Sequence, residues 1–307
     1  MRLRILLGIF CGFYSAWSVA AEVPQVVVTL KPIHALVSGV MQGVGEPSLL
    51  LAGGESPHTY SLKPSQMKQL QQAQLIVWVG SAIESFLVKP LQTVPKEVRQ
   101  LSLLDVQGGL HLHKARRGGI WEEEHEHHAD AATDKDHLDQ HIWLDPRNAQ
   151  LIVQAVSEQL QQLDPAHSKP YTENASRLNA RLDALDKNLM QQLKPFRTVA
   201  LMVFHDAYQY FEERYGLNVV GAISISPENR PSAKRLHQLR ERIQTAQVRC
   251  VFSEPQFEPS LITPLIENTQ VKRGVLDPNG MDLAVGSEAY FSLLTNLAKA
   301  VRTCVEN

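Results

Sequence analysis

Short apolar runs alternate along most of this chain with longer stretches of three- and four-residue periodicity. Residues 26–30 form a strand-like run, 33–44 carry helical spacing, and 48–51 form a second run. Pro64 then opens a short helix, and residues 75–79 read as a third strand. The same rhythm returns after residue 197, with strands at 198–204, 219–225, 249–253 and about 271–276, and helices at 207–215, 232–245, within 260–268, and 287–301. Apolar strands separated by helices are the signature of parallel strands covered on both faces. The pattern predicts an α/β protein of two lobes, each with a mainly parallel sheet flanked by helices.

Between the two halves, Tyr171, Ala175, Leu178, Leu182, Leu185, Leu189 and Leu193 recur on one face of a helix, with Ser168 as its N-cap and Pro195 beyond its end. A helix of that length joins the lobes as a stiff strut, which argues against large closure. The expected organisation is a signal segment at 1–21, an N-terminal lobe at 22–165 with a His-rich acidic loop at 111–140, a linking helix at 166–195 and a C-terminal lobe at 196–307. Asn174-Ala175-Ser176 matches a glycosylation triplet but falls on the helix and is read as chance.

The first residues change the setting. Arg2 and Arg4 precede an apolar run, and Ser18-Val19-Ala20-Ala21 supplies small residues for cleavage near Ala20 or Ala21, as in a secretory signal peptide. Cys11 follows Phe10, where a lipoprotein signal has a small residue, so lipid modification is not expected. Cleavage leaves 28 basic against 32 acidic residues, a net charge of −4 that excludes a basic field for nucleic acid. The apolar run is too short to span a bilayer as a lasting anchor, and the mature chain is not expected to span the membrane. Cys250 and Cys304 remain, an even number in an exported chain, and are expected to pair as a disulfide.

Seven of the twelve histidines lie between His111 and His141, interspersed with eight carboxylates. Imidazole and carboxylate together attract zinc, nickel or copper, and His111, His113, His125, His127, His128 and His137 are expected to form weak auxiliary metal sites on a mobile collector. In open α/β sheets, ligands bind where loops leave the carboxyl ends of strands. Three histidines meet that condition: His58 after the second strand, His205 just after the first strand of the second half and at the entry to a helix, and His141 where ordered sequence resumes after the tract. His34 reads as a buried polar residue or cap, and His167 and His237 as surface residues.

The segments Ser56-Pro57-His58-Thr59-Tyr60-Ser61-Leu62-Lys63-Pro64-Ser65, Leu75-Ile76-Val77-Trp78-Val79-Gly80, His141-Ile142-Trp143-Leu144-Asp145-Pro146 and Phe204-His205-Asp206-Ala207-Tyr208-Gln209-Tyr210-Phe211 resemble the periplasmic zinc-binding proteins of bacterial high-affinity zinc ABC uptake systems, the ZnuA-type metal-specific solute-binding proteins. Cys250-Val251-Phe252-Ser253-Glu254-Pro255-Gln256-Phe257 and Leu276-Asp277-Pro278 extend the likeness over nearly the whole mature chain. The resemblance implies two α/β lobes joined by one long helix, a Zn2+ ion carried in the cleft as cargo, and delivery to an inner-membrane zinc ABC permease by a monomer. It maps the three histidine ligands onto His58, His141 and His205. Pro57 stands where some members have a glutamate ligand, which leaves the fourth place to water, with Asp277, Glu55 or a residue of the His-rich tract as alternatives. Ala222 stands where some members have a histidine of a second site. Manganese-binding relatives replace the third histidine by a carboxylate, so three imidazoles favour zinc.

A manganese or other divalent-metal receptor, a zinc hydrolase and a storage or adhesion protein are the competing readings. Against the hydrolase, His125-Glu126-His127-His128 is followed by Ala129, where a helical H-E-x-x-H needs its second histidine, and no G-x-S-x-G elbow or phosphate-binding glycine loop is present. The expected protein is therefore not an enzyme.

Overall fold

The computed structural model describes residues 23–52, 55–107, 109–116, 119–120, 137–224, 231–257 and 262–306; the expected signal segment and the centre of the His-rich tract, with His125, His127 and His128, lie outside them. The first sheet comprises β1 (Val26–Val28), β2 (Ser48–Leu49), β3 (Leu75–Trp78) and β4 (Arg99–Ser102), all parallel and ordered β2-β1-β3-β4. Helices α1 (Lys31–Met41), α2 (Pro64–Gln72) and α3 (Val88–Leu91) connect these strands. Every residue of α1 is buried, because it is enclosed by the sheet on one side and by helices on the other. β4 was not foreseen from the pattern. Its sequence, Arg-Gln-Leu-Ser, is that of a half-solvated edge strand and lacks an apolar run.

Two helices follow, α4 (Pro146–Leu163) and α5 (Ser168–Leu193). The first of them is a second departure from expectation. Asp145 caps it by accepting the Arg147 amide at 2.8 Å, with Pro146 as first residue, and Ile152, Val153, Val156 and Leu160 form its buried face. Contacts from Gln150 to Asn179 and from Ser168 to Gln161 make α4 and α5 antiparallel neighbours. Ser168 is the first helical residue of α5, and the turn before it is held by Asp164, which accepts from Tyr171 Oη at 2.9 Å and meets His167 Nδ1 at 2.7 Å. Asn174 is buried and donates to the Val40 and Gln42 carbonyls, tying α5 to the end of α1, so the glycosylation triplet has a packing role.

The second sheet comprises β5 (Ala200–His205), β6 (Asn218–Ser224), β7 (Cys250–Ser253) and β8 (Lys272–Val275), parallel and ordered β6-β5-β7-β8. Helices α6 (Gln209–Tyr215), α7 (Ala233–Thr245), α8 (Thr263–Ile266) and α9 (Ala289–Glu306) flank it. Gly216 ends α6 at φ +69°, a left-handed position that suits glycine. The expected disulfide is present, joining Cys250 of β7 to Cys304 of α9.

The two lobes are tied at several points besides α5. Helix α9 packs against both α1 and α5. Lys31 Nζ donates to the Met281 and Leu283 carbonyls at 2.6 and 3.0 Å, Trp143 Nε1 donates to the Pro278 carbonyl at 2.8 Å, and Tyr290 Oη donates to the Trp143 carbonyl at 2.7 Å. Among the described residues no helix is long and apolar enough to cross a membrane.

Candidate metal site

In both sheets the chain leaves the first strand for one side and returns on the other, so the crevice at the strand ends is the natural ligand position. His205 is the last residue of β5 and reaches that crevice directly. His58 comes from the loop between β2 and α2, which Gln66 fastens down: its oxygen accepts from the Lys63 amide and Tyr60 Oη at 2.9 and 2.8 Å, and its amino group donates to the Leu50 carbonyl at 2.7 Å. His141 precedes the short helical turn Ile142–Leu144, whose three buried apolar residues anchor it.

These three imidazoles meet. Their ring centroids lie 5.4 to 5.9 Å apart, and one nitrogen of each lies within 4.8 Å of the others, close enough for one small cation to reach all three after modest side-chain shifts. Among the described residues no other group of three or more histidine, cysteine or carboxylate side chains is so placed.

Two carboxylates orient the buried rings. Asp139 Oδ1 lies 2.8 Å from His141 Nδ1 and also accepts the His141 amide at 2.9 Å. Glu254 Oε1 lies 2.6 Å from His205 Nδ1. A carboxylate on Nδ1 holds the proton there and leaves Nε2 as the lone-pair donor for a metal. His205 Nε2 is buried and has no hydrogen-bond partner, which is costly unless a cation uses it. Neither Asp139 nor Glu254 was assigned a role from the sequence. Glu254 ends the strand-derived segment Cys250-Val251-Phe252-Ser253-Glu254, so the rule about polar residues after strands could have found it, whereas Asp139 was hidden among the carboxylates of the tract.

Burial and the nearness of His141 and His205 depress the His58 pKa to about 3, so this ring is neutral at physiological pH and ready to donate. Burial also pulls the His205 pKa down, but the charge and hydrogen bond of Glu254 outweigh it and leave the pKa raised.

The structure does not bring Asp277 or Glu55 into the trio. Asp277 accepts the Asn279 and Gly280 amides at 3.0 and 2.9 Å and the Met281 amide at 2.5 Å, which fixes the loop after β8. Glu55 lies 3.8 Å from Lys63 Nζ and is half exposed. Between His58 and His205 a cavity of about 10 Å³, bordered by Ser56, Glu254, Gln256, Phe257 and Asn279, has room on the order of one water. A larger cavity of about 160 Å³ adjoins His58 and His141 and is bordered by Ala115, Arg116, Leu138, Asp139 and Asp206.

The roots of the His-rich tract are built into the fold, contrary to the expectation of a mobile collector from His111 onward. The Ala115 amide donates to the His137 carbonyl and the Asp139 amide to the His113 carbonyl, each at 2.9 Å, making a short antiparallel stem. Asn148 grips His111 through its amide and carbonyl, and the His113 ring lies tilted against Tyr210 with Nδ1 3.2 Å from Glu213. Further along, Ile120 pairs with Gly221 and the Gly119 carbonyl accepts the Ala222 amide at 2.8 Å, which places the arm of the tract on the edge of β6. Ala222 itself is fully buried. His34 is structural, with Nε2 2.9 Å from the Pro47 carbonyl, and His167 and His237 pair with Asp164 and Glu241.

Residues 26–304 match the family model described as zinc-uptake complex component A, periplasmic. The chain is 39% identical to the high-affinity zinc uptake system protein ZnuA of Brucella abortus (strain 2308), over 96% of this chain and 95% of that protein. It is 34% identical to the protein of the same name from Yersinia pestis, over 92% and 91%. Among solved structures, the periplasmic zinc binding protein TroA from Treponema pallidum superposes with a TM-score of 0.78 at 20% identity, covering 92% of this chain and 99% of that one. A crystal structure of ZnuA gives 0.73 at 24% identity, covering 91% and 100%. Sequence identity over nearly the whole chain and the shared architecture agree, and the chain belongs to the ZnuA family of periplasmic zinc-uptake components.

Proposed function

We propose that this protein is an exported, periplasmic zinc receptor that captures Zn2+ on His58, His141 and His205 and passes it as cargo to an inner-membrane ABC permease. The observation that carries this reading is the convergence of three imidazoles, two of them buried and each pinned at Nδ1 by a carboxylate. Three neutral nitrogen donors at Zn–N distances of about 2.0–2.1 Å make a tetrahedral site with one open place. Water in the small cavity beside His58 and His205 fits that place, and Asp277 acts by fixing the adjoining loop. A carrier, rather than a hydrolase, is supported by the match of nearly the whole chain to periplasmic zinc-uptake components.

The lobes are taken as residues 22–165 and 196–307, linked by 166–195, with the signal segment removed near Ala20 or Ala21 and the mature chain acting as a monomer. The stretch between the two strands of the stem, with His125, His127 and His128, is taken to gather zinc weakly. The test is a competition titration of the mature protein with zinc. One tight site, lost separately in His58→Ala, His141→Ala and His205→Ala, is the expected result. A tight site that survives all three changes rejects the assignment, and many equal weak sites would indicate storage.

A further inference from the structure

Two members of a charged cluster outside the imidazole trio, Arg116 and Asp206, border the larger cavity. Asp206 follows His205 in the chain and borders the same space of about 160 Å³ as His58 and His141. Arg116 covers this carboxylate: its Nε lies 3.1 Å from both Asp206 oxygens, and a terminal nitrogen also donates to Oδ1. The other terminal nitrogen donates to Glu212 Oε2 at 2.7 Å. All three side chains are largely buried. The guanidinium fork suits this task because it can engage both oxygens of one carboxylate at once. Arg116 follows Ala115, whose amide is fixed in the stem by the His137 carbonyl.

A carboxylate is the hard donor that manganese and magnesium prefer, whereas three imidazoles suit zinc. We propose that Arg116 is a specificity-determining residue: by holding Asp206 against the cavity wall it keeps an oxygen donor from joining His58, His141 and His205, and so biases the site toward zinc over harder divalent cations. The proposal rests on the zinc-receptor reading above. Without Arg116, two buried carboxylates lose their shared cation, and a metal ion on the trio becomes a positive charge facing the cavity that Asp206 borders.

The experiment uses the full mature protein with Zn2+, Mn2+ and Co2+ as probes. In Arg116→Gln the ratio of manganese to zinc affinity is expected to rise by roughly 10-fold or more, the scale on which outer partners tune metal sites. The visible bands of bound Co2+ are expected to weaken as coordination rises above four. Adding Asp206→Asn should return both readouts toward wild type, which a purely structural role of Arg116 would not do. If Arg116→Gln does not fold, Arg116→Lys keeps the charge without the fork, and a smaller shift in the same direction is expected. A wild-type ratio and spectrum in the folded variant overturn the proposal alone. Failure of the wild-type protein to bind zinc or cobalt overturns the receptor reading and this proposal with it.

Discussion

Replacing Glu254 by glutamine isolates the contribution of its charge, because the variant keeps the shape of the side chain and an oxygen that can accept from His205. Glu254 Oε1 lies 2.6 Å from His205 Nδ1, and the two side chains are 1% and 5% exposed, so water does not screen the interaction. A hydrogen bond to a charged group contributes about 1.5–3 kcal/mol and one between neutral groups about 0.5–1.5 kcal/mol. The difference of about 1–2 kcal/mol corresponds to a zinc dissociation constant weaker by roughly 5- to 30-fold near neutral pH. Proton competition adds a second signature. Burial pulls the His205 pKa down and Glu254 more than offsets it, so losing the charge lowers that pKa. Protons then compete less with zinc in the variant, and its deficit should narrow as the pH falls toward 5.5. Competition against a chromophoric chelator across that range measures both effects. Equal affinities of the two proteins at pH 7.5, or a deficit that widens in acid, would refute the role assigned to Glu254.

In the wild-type protein His58 stays neutral down to about pH 3, so acid weakens binding first through the His205 ring with its raised pKa, and each ligand proton displaced steepens the loss by about tenfold per pH unit; unchanged retention at pH 5 would rule out the three-histidine site. Deleting residues 117–136 while leaving the stem and Asp139 in place should remove weak sites and spare the tight one, whereas a deletion running through Asp139 should also damage the tight site by freeing the His141 ring; calorimetric stoichiometry separates these outcomes. Cys304→Ser should cost about 4 kcal/mol of stability in urea unfolding, from the loop-closure entropy of a link spanning 54 residues, with little change in zinc affinity; a stability within 1 kcal/mol of wild type, taken as roughly the least a native disulfide contributes, would contradict it.

Much of this molecule was legible in its sequence because periodicity reports burial. The parallel sheets, the long helix α5 and the placing of His58 and His205 at or just beyond strand ends follow from apolar runs and from the chemistry of strand ends. What escaped did so for local reasons. β4 is a polar edge strand and gives no apolar run. Helix α4 begins at Asp145-Pro146, a signal overshadowed by its neighbour His141.

The sequence alone determined which residue types could hold the metal, since imidazole donors and a strand-end position are local properties. Only the tertiary structure decided how they are held. Asp139 and His141 are close in the chain, but Glu254 reaches His205 across 49 residues and Arg116 reaches Asp206 across 90. Their pairing depends on which strands lie side by side and on where the tract is rooted. Asp277, a plausible ligand by its type, is instead occupied by backbone amides of its own loop. A side chain's chemistry is written in its own residue, whereas its partner is fixed only when distant segments are packed together and buried charges must find one another.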